Sequence, residues 1–228
     1  MAIIAKPKQT DTAFGKAMTD SIKDSRSRTF TMKFDGFKNL QQCSTFLHLR
    51  QDERNLIRNL HLKNECKVLD YGCGAGRHLK FIREIIPTSH CYGIEPCHLL
   101  SDYCQKTIHP ITLAKTFHEL EGVKFDLIMI MGAYLGTLGS EQDATLALKD
   151  FANALNPDGI ILIETGNPFG VGHTTTNCVI EYGEIHDEFI WGHAGQDWVT
   201  TTMENFDCLV EIIPSGDGDY FFAKGTKM

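Results

Sequence analysis

The chain has 228 residues, 42% of them hydrophobic, enough for one domain with an ordinary core or one domain with a lid. Its formal net charge of -7 argues against a protein that works by neutralising nucleic-acid phosphates. The longest apolar run, Leu127 to Met131, is far short of the roughly 20 residues that cross a membrane.

The opening residues, "MAIIAKPKQTD", have too short an apolar stretch for a signal peptide. Ala13 to Ile22 is compatible with a helix, and Thr29 to Phe34 alternates enough for a short strand. From Arg50 to Leu62, the residues Leu56, Ile57, Leu60 and Leu62 mark a helix with one apolar face. The pattern then changes to apolar runs of four to six residues separated by helical stretches. Strands are predicted at Lys67 to Asp70, Cys91 to Ile94, Thr112 to Ala114, 125 to 131 and 160 to 165. Helices are predicted at about Gly76 to Ile86, His98 to Lys106 and Glu141 to Leu155, the last closed by "NPDG". Strands alternating with helices of this length imply βαβ units and a parallel sheet.

After Thr165 the rhythm shifts. "NCVIEYGEIHDEFIWG" predicts two strands around Gly183 and Glu184, and Asp197 to Phe206 predicts a helix. "CLVEIIP" and "DYFFAKGT" predict two further strands joined by "SGDG", a connection too short for anything but an antiparallel pair. The eight cysteines form no C-x-x-C pair and sit mostly in apolar runs, which fits reduced core thiols in a cytoplasmic protein. The ten histidines show no ligand spacing, so no metal site is assigned.

The stretch "CKVLDYGCGAGRHLKFI" carries the chemistry. Gly72, Gly74 and Gly76 form a tight bend between a strand and a helix, where the missing Cβ atoms let a ligand approach the backbone. The spacing is G-x-G-x-G, not the G-x-G-x-x-G that seats a pyrophosphate on a helix N-terminus. Asp70, two residues earlier, would repel a pyrophosphate but suits a ligand with an ammonium group. Glu95, at the end of "CYGIE", is placed to accept hydrogen bonds from ribose hydroxyls. These features suit a ligand with a ribose, a cationic end and no phosphate beside the glycines, and S-adenosylmethionine fits all three demands.

"VLDYGCGAGRH", "YGIEP", "FDLIMIMGAYLG" and "LNPDGIILIE" together resemble the class I S-adenosylmethionine-dependent methyltransferases, from about residue 50 to the C-terminus. The resemblance implies an α/β, Rossmann-like three-layer sandwich with a mostly parallel seven-stranded sheet and an antiparallel C-terminal strand. To this the sequence adds an N-terminal helical cover over residues 1–49 and a small β-rich insert in a domain spanning 50–228. It implies that Asp70, Gly72, Gly74 and Gly76 line the methionine end of the cofactor, that Glu95 binds the ribose and that Pro96 flanks the adenine or ribose. Met131 and Gly132 would lie beside the transferred methyl. "MGAYLG" departs from the N/D-P-P-Y/F/W motif of enzymes that methylate amino groups of nucleobases or of protein glutamine, and "LAKTFHEL" shows no evident adenine-binding acid.

In an open α/β sheet the acceptor lies beyond the carboxyl ends of the strands. That points to Tyr134, Glu164 and Asn167, to His173 in the following loop, and to His48 and Arg50 from the cover. Tyr134, His173 and His48 are the catalytic candidates. Arg50, Glu164 and Asn167 are the substrate-binding ones; Arg50 is also read as a partner of Asp52 or Glu53. Arg77 and His78 are read as facing the cover or solvent, and Trp191 and Trp198 as packing anchors. The acceptor is expected to be a small molecule methylated at O or N by a monomer or homodimer, without nucleic acid or membrane as partner. The alternatives are a protein or peptide acceptor, a non-catalytic S-adenosylmethionine-binding protein or subunit, and a nicotinamide-dependent oxidoreductase.

Overall fold

A computed structural model describes residues 29–34, 40–43, 48–167, 170–182, 185–216 and 220–228. Seven strands form the main sheet: β3 (Lys67–Tyr71), β4 (His90–Ile94), β5 (Ile111–Ala114), β6 (Phe125–Ile130), β7 (Leu155–Thr165), β10 (Cys208–Pro214) and β11 (Phe221–Lys227). Their order is β10-β11-β7-β6-β3-β4-β5. Strands β3 to β7 run parallel, and β11 is antiparallel to both β7 and β10. The antiparallel C-terminal strand is therefore present, inserted between β7 and β10.

Residues alternate between the two faces of the sheet, as period-2 side-chain geometry requires. Leu69, Tyr71, Ile128, Ile130, Ile161 and Ile163 pack on one face with α4 (Glu141–Asn153) and α5 (Gln196–Glu204). Val68, Leu127, Met129, Ile160 and Leu162 pack on the other with α1 (Gln51–Arg58), α2 (Arg77–Ile85) and α3 (His98–Thr107). Each fully buried side chain of this kind contributes about 1.5–3 kcal/mol before ordering costs. The seven described cysteines at 66, 73, 91, 97, 104, 178 and 208 are buried and unpaired.

A second, four-stranded sheet has the order β2-β1-β8-β9, from β1 (Thr29–Phe34), β2 (Leu40–Cys43), β8 (His173–Tyr182) and β9 (Ile185–Ala194). The predicted hairpin is present and longer than its apolar run suggested; its turn residues Gly183 and Glu184 lie outside the described residues. β1 pairs antiparallel with β8, so the N-terminal segment and the insert share one sheet. Where the cover is described before residue 48 it is strand; the helix expected at Ala13 to Ile22 lies outside the described residues. "NPDG" differs from expectation. Residues 155–159 belong to β7 across a register shift opposite Phe125 and Leu127, with Asp158 at φ +61°. This irregularity re-aligns the strand and takes the place of a separate turn.

β3 has β4 on one side and β6 on the other, so the strand order reverses at the β3/β6 boundary. Open α/β sheets bind ligands in the crevice beyond the carboxyl ends at such a point. Here that crevice lies between the glycine loop after β3 and the turn after β6. No helix among the described residues is long and apolar enough to cross a membrane.

Candidate active site

The glycine loop is pinned to the neighbouring strand: the Gly72 and Cys73 N–H groups donate to the Ile94 carbonyl at 2.9 and 3.0 Å. Gly72 has φ +79°, and a Cβ there would lie 2.4 Å from the Tyr134 ring. Gly76 has φ +82° and caps α2, and a Cβ there would meet Ile108 and Cys104 at 2.5 and 2.6 Å. Both positions therefore need glycine twice over, for backbone conformation and for space. Around Gly132, at the end of β6, the nearest atom to an added Cβ is Nη2 of Arg77 at 3.8 Å, leaving room against the backbone.

Two buried carboxylates flank the loop. Glu95 accepts from Gly74 N–H at 3.0 Å and from Cys97 N–H at 2.7 Å. Burial outweighs these bonds and pushes its carboxyl up to about 7. Asp70 is 1% exposed, and its Oδ2 lies 3.3 Å from Nδ1 of His78. Nε2 of that ring lies 3.3 Å from Oε1 of Glu53, which also receives Nη2 of Arg77 at 3.0 Å. Burial alone would raise the Glu53 carboxyl, but the bond from His78 and the Arg77 and His78 charges bring it down to about 2. His78 is thus buried between two acids, not turned to the cover or solvent as its place at a helix start suggested.

Arg50 caps α1 and completes this group. Its guanidinium pairs with Glu164, with Asp52 at 3.1 Å, and approaches Glu53 at 4.0 Å. The other Glu164 oxygen accepts from Gly132 N–H at 2.7 Å. Burial works against the Arg50 charge, yet Glu164 and Glu53 outweigh it and hold the arginine firmly protonated. Arg50, Glu164 and Gly132 are therefore brought together, and the first two already serve each other. Met131 is buried at the foot of this turn.

Tyr134 is part-buried over Gly72, with its ring edge-on to Tyr71 at 5.6 Å. Burial, then the Glu95 charge, raise its phenol well above the ordinary tyrosine range, so it is a donor at neutral pH. His173 instead packs its ring on Trp198 at 4.9 Å and close to Gly192, and burial lowers its pKa. Asn167 fastens its own loop: its amide donates to the Val171 and Gly172 carbonyls, and its oxygen accepts from Thr174. His48 is exposed, and its carbonyl accepts from Arg77. Pro96 lies beside Glu95, half-buried. Trp191 presses on Gly136, and Trp198 donates to Glu141 at 2.8 Å. Both tryptophans are packing anchors of the insert.

Sequence reasoning missed Glu53 and His78. A signal existed for each. Glu53 precedes Leu56 and Ile57 by three and four residues, and His78 precedes Phe81 and Ile82 likewise. Each is a polar residue on a buried helical stripe.

The switch-point crevice, the Asp70 and Glu95 carboxylates at adjacent strand ends, and a glycine loop without phosphate spacing define a nucleoside-binding α/β enzyme of the methyltransferase class. The donor set fits the chemistry of S-adenosylmethionine: two buried carboxylates at adjacent strand ends and open backbone at Gly132. Residues 41–202 match the sequence pattern of the family described as a methyltransferase domain, and the chain belongs to that family. It is a class I S-adenosylmethionine-dependent methyltransferase, and the non-catalytic and nicotinamide readings fall with that membership. Its fold is similar to that of an S-adenosylmethionine-dependent methyltransferase from Bacteroides fragilis in complex with S-adenosylhomocysteine. The TM-score is 0.78 at 16% identity, covering 98% of each chain. An amino pentose methyltransferase from Micromonospora echinaspora gives 0.59 at 16% identity, covering 81% of this chain and 92% of the other. A sugar N-methyltransferase from Streptoalloteichus gives 0.56 at 12%, covering 81% and 88%. No curated protein matches in sequence.

Proposed function

We propose that the enzyme transfers a methyl group to an O or N atom of a small molecule, and that sugars bearing amino groups are the first class to test. The observation that carries this is the roof over the site. Trp191 and Ile190 of β9 pack on Gly136 and Gly139, directly after the turn that presents Tyr134. A four-stranded sheet whose strand β9 packs on the turn after β6 favours a compact acceptor over a polymer. Two of the structural neighbours, an amino pentose and a sugar N-methyltransferase, act on such compounds by name.

In this reading Asp70 and the glycine loop hold the methionine end, Glu95 holds the ribose, and Pro96 lies beside the nucleoside. When bound, the cofactor supplies an electrophilic methyl on a sulfonium. Tyr134, its phenol protonated, donates a hydrogen bond that orients the acceptor. Glu164 is committed to Arg50 and Gly132, so it anchors the wall. His173 and Asn167 frame the loop on one side, and His48 and Arg50 stand at the cover. Positioning then carries the reaction, since an amine presented in its neutral form needs no base for the displacement itself.

The test is incubation with isotopically methyl-labelled cofactor and a panel of amino sugars, free and nucleotide-linked, beside hydroxylated small molecules and a peptide mixture. Mass spectrometry of labelled product on a sugar nitrogen or oxygen is the expected result. Label found only on peptides would overturn the reading.

A further inference from the structure

His78 stands outside the roles assigned so far, yet it is 5% exposed and holds a carboxylate near each ring nitrogen. A neutral imidazole has one N–H and could satisfy only one of two flanking acceptors; the other acid would face a lone pair. Asp70 comes from the end of β3 and Glu53 from α1, so one ring spans the glycine-loop strand and the helix that follows the cover. The ion pairs around the ring link Asp70, Glu53, Glu164 and Asp52 with His78, Arg77 and Arg50.

We propose that His78 is a positioning residue for cofactor capture: as an imidazolium between Asp70 and Glu53, it aims the Asp70 carboxylate at the glycine loop and ties that loop to α1. This rests on the reading that Asp70 receives the cofactor's ammonium. One Asp70 oxygen is then taken by the ring, and the orientation of the other is fixed. Loss of the ring charge frees the carboxylate to turn and leaves two buried acids, Asp70 and Glu53, without the group between them. Burial by itself lowers the histidine, and Arg77 opposes protonation too, but Asp70 and Glu53 outweigh both and the net shift is upward. A histidine raised in this way contributes its stabilisation below the ordinary histidine range and loses it as pH rises through the raised value. Facing it are Asp70 from β3, Glu53 from α1 and Arg77 from its own helix, with Arg50 behind Glu53.

The experiment combines three measurements on the full chain: S-adenosylhomocysteine binding by calorimetry to wild type and H78Q, amide hydrogen exchange of residues 51–58, and nitrogen-15 NMR of the His78 ring. Both ring nitrogens should be protonated at neutral pH. Wild type should lose protection over 51–58 between about pH 6 and about pH 9, after correction for intrinsic exchange. H78Q should show the unprotected level at both pH values and bind S-adenosylhomocysteine at least about tenfold more weakly. A singly protonated ring at neutral pH overturns the proposal, and that measurement needs no variant to fold. Equal binding by H78Q also overturns it. Failure of wild type to bind S-adenosylhomocysteine would instead overturn the cofactor site itself, with the ring protonation still deciding the charge of His78.

Discussion

Arg50 and Glu164, 114 residues apart in the chain, form an ion pair that joins the cap of α1 to the end of β7. Through the second Glu164 oxygen the same pair reaches Gly132 N–H, at the mouth of the crevice. The residue that caps α1 therefore helps set the shape of a sheet edge.

Breaking that pair should be costly and non-additive. Removing one partner of a buried pair costs about 3–5 kcal/mol, but the Arg50 side chain is 33% exposed, so Arg50→Ala should cost about 1–3 kcal/mol. Arg50→Ala with Glu164→Ala should cost less than the two single changes summed, because neither charge is then stranded. Chemical denaturation of the four proteins measures the coupling.

Gly72 is the position where the glycine loop meets Tyr134. Gly72→Ala should cost about 1–2 kcal/mol from the left-handed backbone alone, with the clash against the ring in addition. Adding Tyr134→Ala removes the clash but not the strain, so melting temperature should recover in part. Full recovery would show that backbone conformation matters little there.

Gly136 tests the roof. A Cβ at this position would lie 2.4 Å from the Trp191 ring and 2.8 Å from the Gly192 carbonyl. Gly136→Ala should destabilise by about 1–3 kcal/mol as an overpacked contact and raise hydrogen exchange across β8 and β9 before the main sheet responds. Uniform loosening would contradict an insert seated through this contact.

The Glu95 carboxyl gives a pH signature. Burial raises it from 4.5 to about 7, so the folded state holds its proton more tightly than the unfolded chain does. Stability contributed by this group should fall as pH rises from about 4.5 to about 7, and Glu95→Gln should flatten that slope in thermal melts. Glu53 works in the opposite direction at lower pH: its carboxyl is lowered to about 2, and its stabilisation is lost as pH falls from about 4.5 through that value. With Glu95 as the proposed ribose acceptor, its ionised carboxylate is the form that receives the hydroxyls, so S-adenosylhomocysteine affinity should weaken below about pH 7 in wild type and lose that limb in Glu95→Gln. Calorimetry across the range checks it.

The parallel sheet, the glycine loop and both flanking acids were legible because each is written locally. Strand runs alternate with amphipathic helices, and Asp70 and Glu95 sit at fixed offsets from the glycines. The partners of those residues were not legible. Nothing near Glu164 announces Arg50, and nothing in "GRH" announces that the histidine faces Glu53, since these contacts depend on how α1 docks. The contacts of His173 and Asn167 were not legible either: the His173 ring lies on Trp198, and the Asn167 amide fastens its own loop. Proximity in sequence to a strand end does not fix which way a loop turns.

β1 runs beside β8 from Thr31 opposite Glu181 to Phe34 opposite Cys178. The roof is thus braided from two distant stretches of one chain. A chimaera that transplants only residues 173–194 from a relative would carry a strand edge whose mate stayed behind, an open template for misassociation. Any acceptor preference carried by the roof is inherited in two pieces, and they must travel together.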